Sequence, residues 1–474
     1  MNYLNKQYKK DKKFKIRHNY LNKQFADTKD YFKLIKDVVT NNDFTLGNYV
    51  SKFEKKFRNK INAKYAIGVG SGTDALKLSL EALDIKQGDE VILPTFTFYA
   101  SLNPIIAVGA KPVFIDSKLD FNIDEQKIIK KINKKTKAII PVHWAGKICN
   151  MNAIKKIAKK YNLKIIEDAC HAYLSKYKGK FAGNFGNTGC FSLHPLKNVN
   201  VWGDGGVITT NEKKVYDKLI LLRNHGLKNR NELEIFGHNS RLDTIQAAIG
   251  FKMLDKLDNL TKIRRRNAKI YDNGLRFIKQ ITIPVRDKDI IQNFQLYSFL
   301  CQDRNRLIRY LNKFGIDAKI HYPKPMHLQK PCIKNNYHKG NFTNAGNTVA
   351  DLGVVTTVDI NGGSIDGTSI GTNSAITQLT VDNDLPNDSP VYLVNDILLG
   401  DGVEASNHQY QGDSIQIGFC GSLTTVSTFM NELYILTTSG KEGVTKERGY
   451  LYQYIVITFV TCQILGLILS FIFV

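Results

Sequence analysis

Three short stretches carry residue types that could do chemistry together. In "VGSGTDALKLSL", Gly70, Ser71, Gly72 and Thr73 lead into a helical pattern. Small residues let the backbone approach an anion, and a helix start offers N–H groups and the positive end of its dipole, so phosphate is the natural ligand. A glycine-rich helix start is more often a plain turn, and the lysine of a P-loop is absent. In "LKIIEDACHA", Glu167 and Asp168 end an apolar run. A carboxylate there can hold a protonated ring nitrogen; an isolated one is usually a helix cap or a solvated strand end. In "CFSLHPLKN", Lys197 lies in a nearly charge-free stretch, two residues after Pro195 and five after Ser192. A lysine held away from water has a lowered pKa and can form a Schiff base with an aldehyde. The ordinary alternative is a lysine that snorkels to the surface.

These residues need a scaffold. Residues 60–225 alternate helix-like and strand-like segments. Leu76, Leu80 and Leu83 fall on one face of a helix. "DEVILP", "KPVFID", "KAIIPV", "LKIIED" and "GGVITT" are short Val- and Ile-rich runs, the pattern of buried strands. The order predicts an α/β fold with a mostly parallel sheet, helices on both faces and ligands at the carboxyl ends of the strands. A long helical stretch follows from Asn239 to about Leu275, then a smaller α+β pattern over 281–320.

The composition excludes several classes. The 474 residues carry a formal charge of +24, unevenly placed. Residues 344–474 hold three Lys and Arg against thirteen Asp and Glu, a net −10, which leaves +34 on residues 1–343. The lysines are spread through helical stretches with Asn and Ile, and no zinc-finger or RNA-binding signature accompanies them. The expectation is a basic surface that steers phosphate-bearing small molecules, with no nucleic-acid partner. The cysteines are Cys149, Cys170, Cys190, Cys301, Cys332, Cys420 and Cys462. They are odd in number and unpaired in spacing, which argues against a disulfide framework or a structural zinc site and fits a reducing, cytoplasmic compartment. No metal ligands are singled out. The N-terminus lacks an apolar signal core but holds "NYLNKQ" twice, so residues 1–18 read as a solvated basic extension.

A phosphate cradle, a strand-end Asp and a sequestered Lys, in that order, are the parts a pyridoxal-phosphate site needs. The chain from about Tyr20 to Phe342 resembles the DegT-type sugar aminotransferases of pyridoxal-phosphate fold type I. The stretches that carry the resemblance include "DFTLGNYVSKFEKKF", "GVGSGTDALKLSLEALDIKQGDEVILPTFTF", "IIPVHWAG", "IIEDACHA", "FSLHPLKNVNVWGDGGVITT", "FGHNSRLDTIQAAIG" and "IHYPKPMHLQ". The resemblance implies that Lys197 holds the cofactor and moves the proton, and that Asp168 keeps the pyridine nitrogen protonated. Gly72, Thr73 and Ser192 would bind the cofactor phosphate, Phe98 would stack on the ring, and His171 would lie near the ring hydroxyl. Asn239 would reach the phosphate of a neighbouring subunit, which implies a homodimer with shared sites. His321 and Tyr322 would lie near the sugar. Phe98 could equally be a core aromatic, and His321 and Tyr322 plain packing. The implied reaction moves an amino group from an amino acid, usually glutamate, to a nucleotide-linked keto-deoxysugar.

The resemblance implies domains at 19–275, binding the cofactor, and at 276–343, a small α+β domain that reads as truncated. Residues 344–414 form a Gly/Thr/Asn-rich, β-like segment, of which 344–390 resemble phage tail-fibre or adhesin-like repeats. Residues 415–474 resemble the end of a eukaryotic-type fluoride exporter, with an apolar run over 454–474 long enough to span a membrane and tether the chain. Three resemblances in one chain suggest a fusion. Against the aminotransferase stand a same-fold dehydratase, whose relatives replace the lysine seen here, a membrane or surface protein with an inactive N-terminal domain, and a regulatory DNA-binding protein that rests on charge alone.

Overall fold

The structure is a computed structural model. It describes residues 14–301, 303–337, 340, 342–345, 355–357, 391–394 and 397–400. Of the tail-fibre-like and exporter-like stretches and the segment between them, the described residues include only 344–345, Val355–Thr357 and one short hairpin, Val391–Val394 with Ile397–Gly400; the exporter-like stretch and the apolar run over 454–474 lie outside them. No helix among the described residues is long and apolar enough to cross a membrane.

The alternating pattern folds as α1 (Thr28–Thr40), α2 (Asn48–Lys60), β1 (Tyr65–Val69), α3 (Gly72–Ala82), β2 (Glu90–Pro94), α4 (Tyr99–Ala107), β3 (Lys111–Ile115), β4 (Thr136–Ile139), α5 (Met151–Tyr161), β5 (Lys164–Asp168), β6 (Thr188–Ser192), β7 (Gly206–Thr210) and α6 (Lys213–Leu222). The strands form one seven-stranded sheet in the order β1-β7-β6-β5-β4-β2-β3. Only β7 runs against its neighbours. Two cores result from the twofold period of the strands. Ile92, Ile165 and Val207 face one core, with α1, α2 and α5; Val91, Ile166 and Ile208 face the other, with α3 and α6. Leu76, Leu80 and Leu83 are buried as their spacing predicts, but so is Leu78. α3 lies between the sheet and α4 and α6, so its apolar surface wraps further than one face.

A 32-residue helix, α7 (Thr244–Leu275), links this domain to the smaller one. There β8 (Ile281–Thr282), β9 (Ser298–Cys301) and β10 (Val355–Thr357) form a three-stranded sheet beside α8 (Arg304–Lys313). The expected truncation at 343 is therefore too early: Ser298 pairs with Thr357 and Leu300 with Val355, so the chain beyond 343 returns to complete this sheet. Several residues after 325 pack outside the small domain. Met326, Cys332, Phe342 and Ala345 join the core under α3, and the buried Asp116 carboxylate accepts from Asn344 N at 3.2 Å and Ala345 N at 3.0 Å. Residues 14–18 are not simply solvated, since Ile16 bridges Ile316 and His18 N donates to Asp317.

The carboxyl edge of the sheet is pinned by Glu167, which is fully buried. Its two oxygens accept from Phe185 N at 2.6 Å, Gly186 N at 2.8 Å and Gly183 N at 2.9 Å. His143 Nε2 lies 2.9 Å from the same carboxylate. Because His143 Nδ1 accepts from Cys149 N, the neutral ring carries its proton on Nε2 and donates it to Glu167. Glu167→Ala would strand this histidine and three backbone donors in a dry interior. Urea denaturation is expected to show a loss of about 3 kcal/mol or more, with Glu167→Gln losing less.

Candidate functional site

The parallel strands end at one edge, and the chain leaving β1, β2, β4, β5 and β6 there delivers the components. β1 runs through Gly70 into α3, whose N-cap Ser71 accepts from Asp74 N at 3.0 Å. The N–H groups of Gly72 and Thr73 stand ahead of the helix's own ladder. Gly72 is buried, and a Cβ on it would come within 2.7 Å of Ser192 Cβ and 3.2 Å of Cys170 Sγ. A Cβ on Gly206, at the start of β7, would meet Ser71 O at 2.2 Å. The start of α3 is thus seated directly against the ends of β6 and β7, with Ser192 beside it. Thr73 is exposed at this edge. The arrangement fits a phosphate: small residues, backbone donors, a helix dipole and a nearby hydroxyl.

Asp168 closes β5 and is 6% exposed. Its Oδ2 accepts from Ser101 Oγ at 2.6 Å and its Oδ1 from Cys170 N at 3.2 Å. The strand period sends Asp168 to the opposite side from Glu167, so one carboxylate builds the sheet edge and the other faces the site. Cys170 beside it stays a thiol, since burial and then the charge of Asp168 push its pKa well up.

Lys197 follows β6 by five residues. Its loop is held by Lys197 N to His194 O at 2.8 Å, Asn200 Nδ2 to Pro195 O at 2.6 Å and Gln295 Nε2 to Leu196 O at 2.5 Å. Lys197 Nζ lies 2.7 Å from His171 Nε2. Asn293, fully buried, ties the two loops together: its Nδ2 lies within hydrogen-bond distance of His171 O, Tyr173 O and Asn198 Oδ1.

Aromatic rings wall the space above Lys197 and His171. Trp144 packs edge-on to His171 at 5.6 Å, to His321 at 4.9 Å and to Tyr322 at 5.0 Å between ring centres. Phe98 is 37% exposed and stacks on Tyr322 at 5.7 Å. Phe98 is therefore not a core aromatic, and His321 and Tyr322 reach across to the larger domain rather than packing only within their own. Trp144 Nε1 is buried with no hydrogen-bond partner, an unspent donor on a ring bordering this space.

The structure thus gathers Gly72, Ser192, Asp168, His171, Lys197, Phe98, His321 and Tyr322 at one edge. Asn239 is exposed, and bridges Asn224 within its own subunit. Its neighbour Ser240 accepts from Gly70 N at 3.3 Å, so the segment borders the cradle. Ser101, Thr97, Trp144 and Asn293 escaped sequence reasoning. Trp144 stood in plain view in "VHWAG", but nothing local marks Asn293, 96 residues beyond Lys197. Among the described residues no group of His, Cys, Asp and Glu could hold a metal ion.

His194 is pushed below its usual pKa, by burial first and then by the Lys197 charge, against a smaller pull from Asp204. A base with a depressed pKa binds fewer protons folded than unfolded, so stability rises with pH across the gap. Unfolding of the cofactor-free chain should become easier as pH falls below about 6.5, the unfolded histidine's pKa. A His194→Gln variant should show a flatter pH profile in thermal melts.

The comparisons with known proteins concern the family and the fold. The model of the DegT/DnrJ/EryC1/StrS aminotransferase family matches residues 26–356. The dTDP-3-amino-3,6-dideoxy-alpha-D-galactopyranose transaminase of Aneurinibacillus thermoaerophilus is 42% identical over 290 residues, 60% of this chain and 79% of that protein. A protein of Geobacillus stearothermophilus called a pleiotropic regulatory protein is 37% identical over 329 residues, 69% of this chain and 88% of that protein. Among solved structures, S. venezuelae DesV aligns with a TM-score of 0.69 and 31% identity over 72% of this chain and 92% of its own. NtdA of Bacillus subtilis, solved with bound cofactor PMP, aligns with a TM-score of 0.67 and 30% identity over 75% and 86%.

Proposed function

This chain belongs to the DegT/DnrJ/EryC1/StrS aminotransferase family, and from that membership we infer that it is a pyridoxal-phosphate-dependent sugar aminotransferase acting on a nucleotide-linked keto-deoxysugar. The observation that carries the reading is the convergence of Lys197, His171 and Asp168 beside the start of α3. When bound, pyridoxal phosphate carries the amino group and delocalises the electron pair left when a proton departs. The residues supply the rest. Gly72 and Thr73, with Ser192, would hold the phosphate. The Asp168 carboxylate would keep a ring nitrogen protonated. Lys197 would hold the aldehyde and then, released, carry a proton between donor carbon and acceptor; when it is an ammonium, Nζ donates to His171 Nε2. Phe98 would cover one face of the ring. Trp144, His321 and Tyr322 would narrow the mouth where a sugar enters and limit the water that could compete.

The amino donor is glutamate in this reading, by resemblance, and the sugar a 3-keto compound. Exposed Asn239 beside the cradle would serve the site of a second subunit in a homodimer. The five described cysteines are free thiols, in keeping with a reducing, cytoplasmic setting. A catalytically impaired fusion, acting only in membrane attachment, is the weaker reading, because β10 completes the small sheet that a truncation would have opened. The presence of Lys197 disfavours a dehydratase.

Two variants test the roles. Lys197→Ala is expected to fold and to lose the visible band that wild type gains with pyridoxal phosphate. In wild type, borohydride followed by peptide mass mapping should fix the cofactor on Lys197; attachment elsewhere would refute the assignment. Asp168→Asn is expected to keep some cofactor while turnover falls by about two orders of magnitude, the scale of losing one charge-stabilising group. Near-normal turnover with a range of keto-sugar nucleotides would contradict its role.

A further inference from the structure

We propose that Ser101, backed by Thr97, is the positioning residue that holds the Asp168 carboxylate correctly turned toward the ring nitrogen. The inference rests on the cofactor reading above but concerns residues to which neither family resemblance nor sequence pattern gave a role.

The direction of the hydrogen bonds follows from counting protons. Ser101 Oγ lies 2.6 Å from Asp168 Oδ2 and 2.7 Å from Thr97 Oγ1. An ionised carboxylate only accepts, and a hydroxyl has one proton to give. Ser101 therefore spends its proton on Asp168, and Thr97 donates to Ser101. The chain runs Thr97 to Ser101 to Asp168, away from bulk water: Thr97 and Ser101 are each 1% exposed. Asp168 Oδ1 is separately anchored by Cys170 N. Each oxygen then has one structural partner and keeps acceptor capacity for the site. Two anchors on two oxygens fix the plane of the carboxylate as well as its position.

The choice of a hydroxyl has a physical reason. A lysine or arginine at this place would pair with Asp168 and compete for the charge meant for the ring. A hydroxyl steadies the carboxylate and leaves its full negative charge in place. Ser101 also lies in the first turn of α4, where the helix dipole favours a nearby anion. The same turn begins at Phe98, whose carbonyl accepts from Ser101 N at 3.0 Å. One helical turn thus sets both the aromatic cover and the carboxylate, so their spacing is fixed by the helix itself.

The test measures binding of pyridoxamine 5′-phosphate to the cofactor-free full chain. This probe has no aldehyde to link to Lys197, so its affinity reports the non-covalent hold alone. Ser101→Ala should weaken binding by roughly tenfold or more, the scale of a lost hydrogen bond to a charged group. Ser101→Thr should restore it, and Thr97→Val, which removes only the second donor, should give a smaller loss. In an Asp168→Asn background the effect of Ser101→Ala should shrink markedly, because the two residues act as one unit. Wild-type affinity in Ser101→Ala, or an undiminished loss in the Asp168→Asn background, would overturn the proposal. If wild type binds neither form of the cofactor, the cofactor reading falls and this inference with it, an outcome distinct from a silent Ser101 substitution.

Discussion

A carboxylate cut off from water organises this molecule. Glu167 would be costly to bury alone, and it is tolerable only because three backbone N–H groups and His143 surround it. That satisfied cluster locks the end of β5 to the turn at 183–186 and to the loop after β4. The next residue is Asp168. Its position inherits the rigidity of Glu167, since a strand fixes alternate side chains to opposite sides. The backbone reinforces this, with His143 N donating to Asp168 O at 3.0 Å and Asp168 N to Pro141 O at 2.9 Å.

The site is held by a second hub from far along the chain. Asn293 and Gln295 follow the long helix α7 and clamp the loops carrying His171 and Lys197. The backbone around these loops is unusual. Ala145, Leu174, Phe294 and Tyr322 all adopt left-handed conformations without being glycine. Each costs on the order of 1 kcal/mol or more, and such costs persist where surrounding contacts over-determine the geometry. Here the strained residues ring the place where Trp144, His171, His321 and Tyr322 converge.

The surface charge has a more modest part. α7 is stitched to α2 by Lys56–Asp255 and Lys60–Asp258, to α1 by Lys252–Asp30, and to the residue that caps α1 by Lys256–Asp27. These pairs are largely exposed and contribute little to stability. An excess of lysine creates a positive field of the kind that draws anionic small molecules toward a surface.

The alternation of Val- and Ile-rich runs with helical segments determined the sheet, because burial on both faces demands such runs. The order of glycine cradle, strand-end Asp and lone Lys determined the kind of chemistry, because few cofactors need all three. Local pattern went no further. Taken singly, the glycine start, Asp168 and Lys197 each have a bland explanation. The pattern ended the small domain at 343, because a three-residue strand carries no periodicity to read. Tertiary structure decided which carboxylate is buried in the fold and which lies beside Ser101 at the sheet edge, that Phe98 is uncovered, and that Asn293 ties together the loops of His171 and Lys197. Those choices depend on pairings across 67 to 122 residues, where loop closure and packing, not neighbouring residues, set what meets.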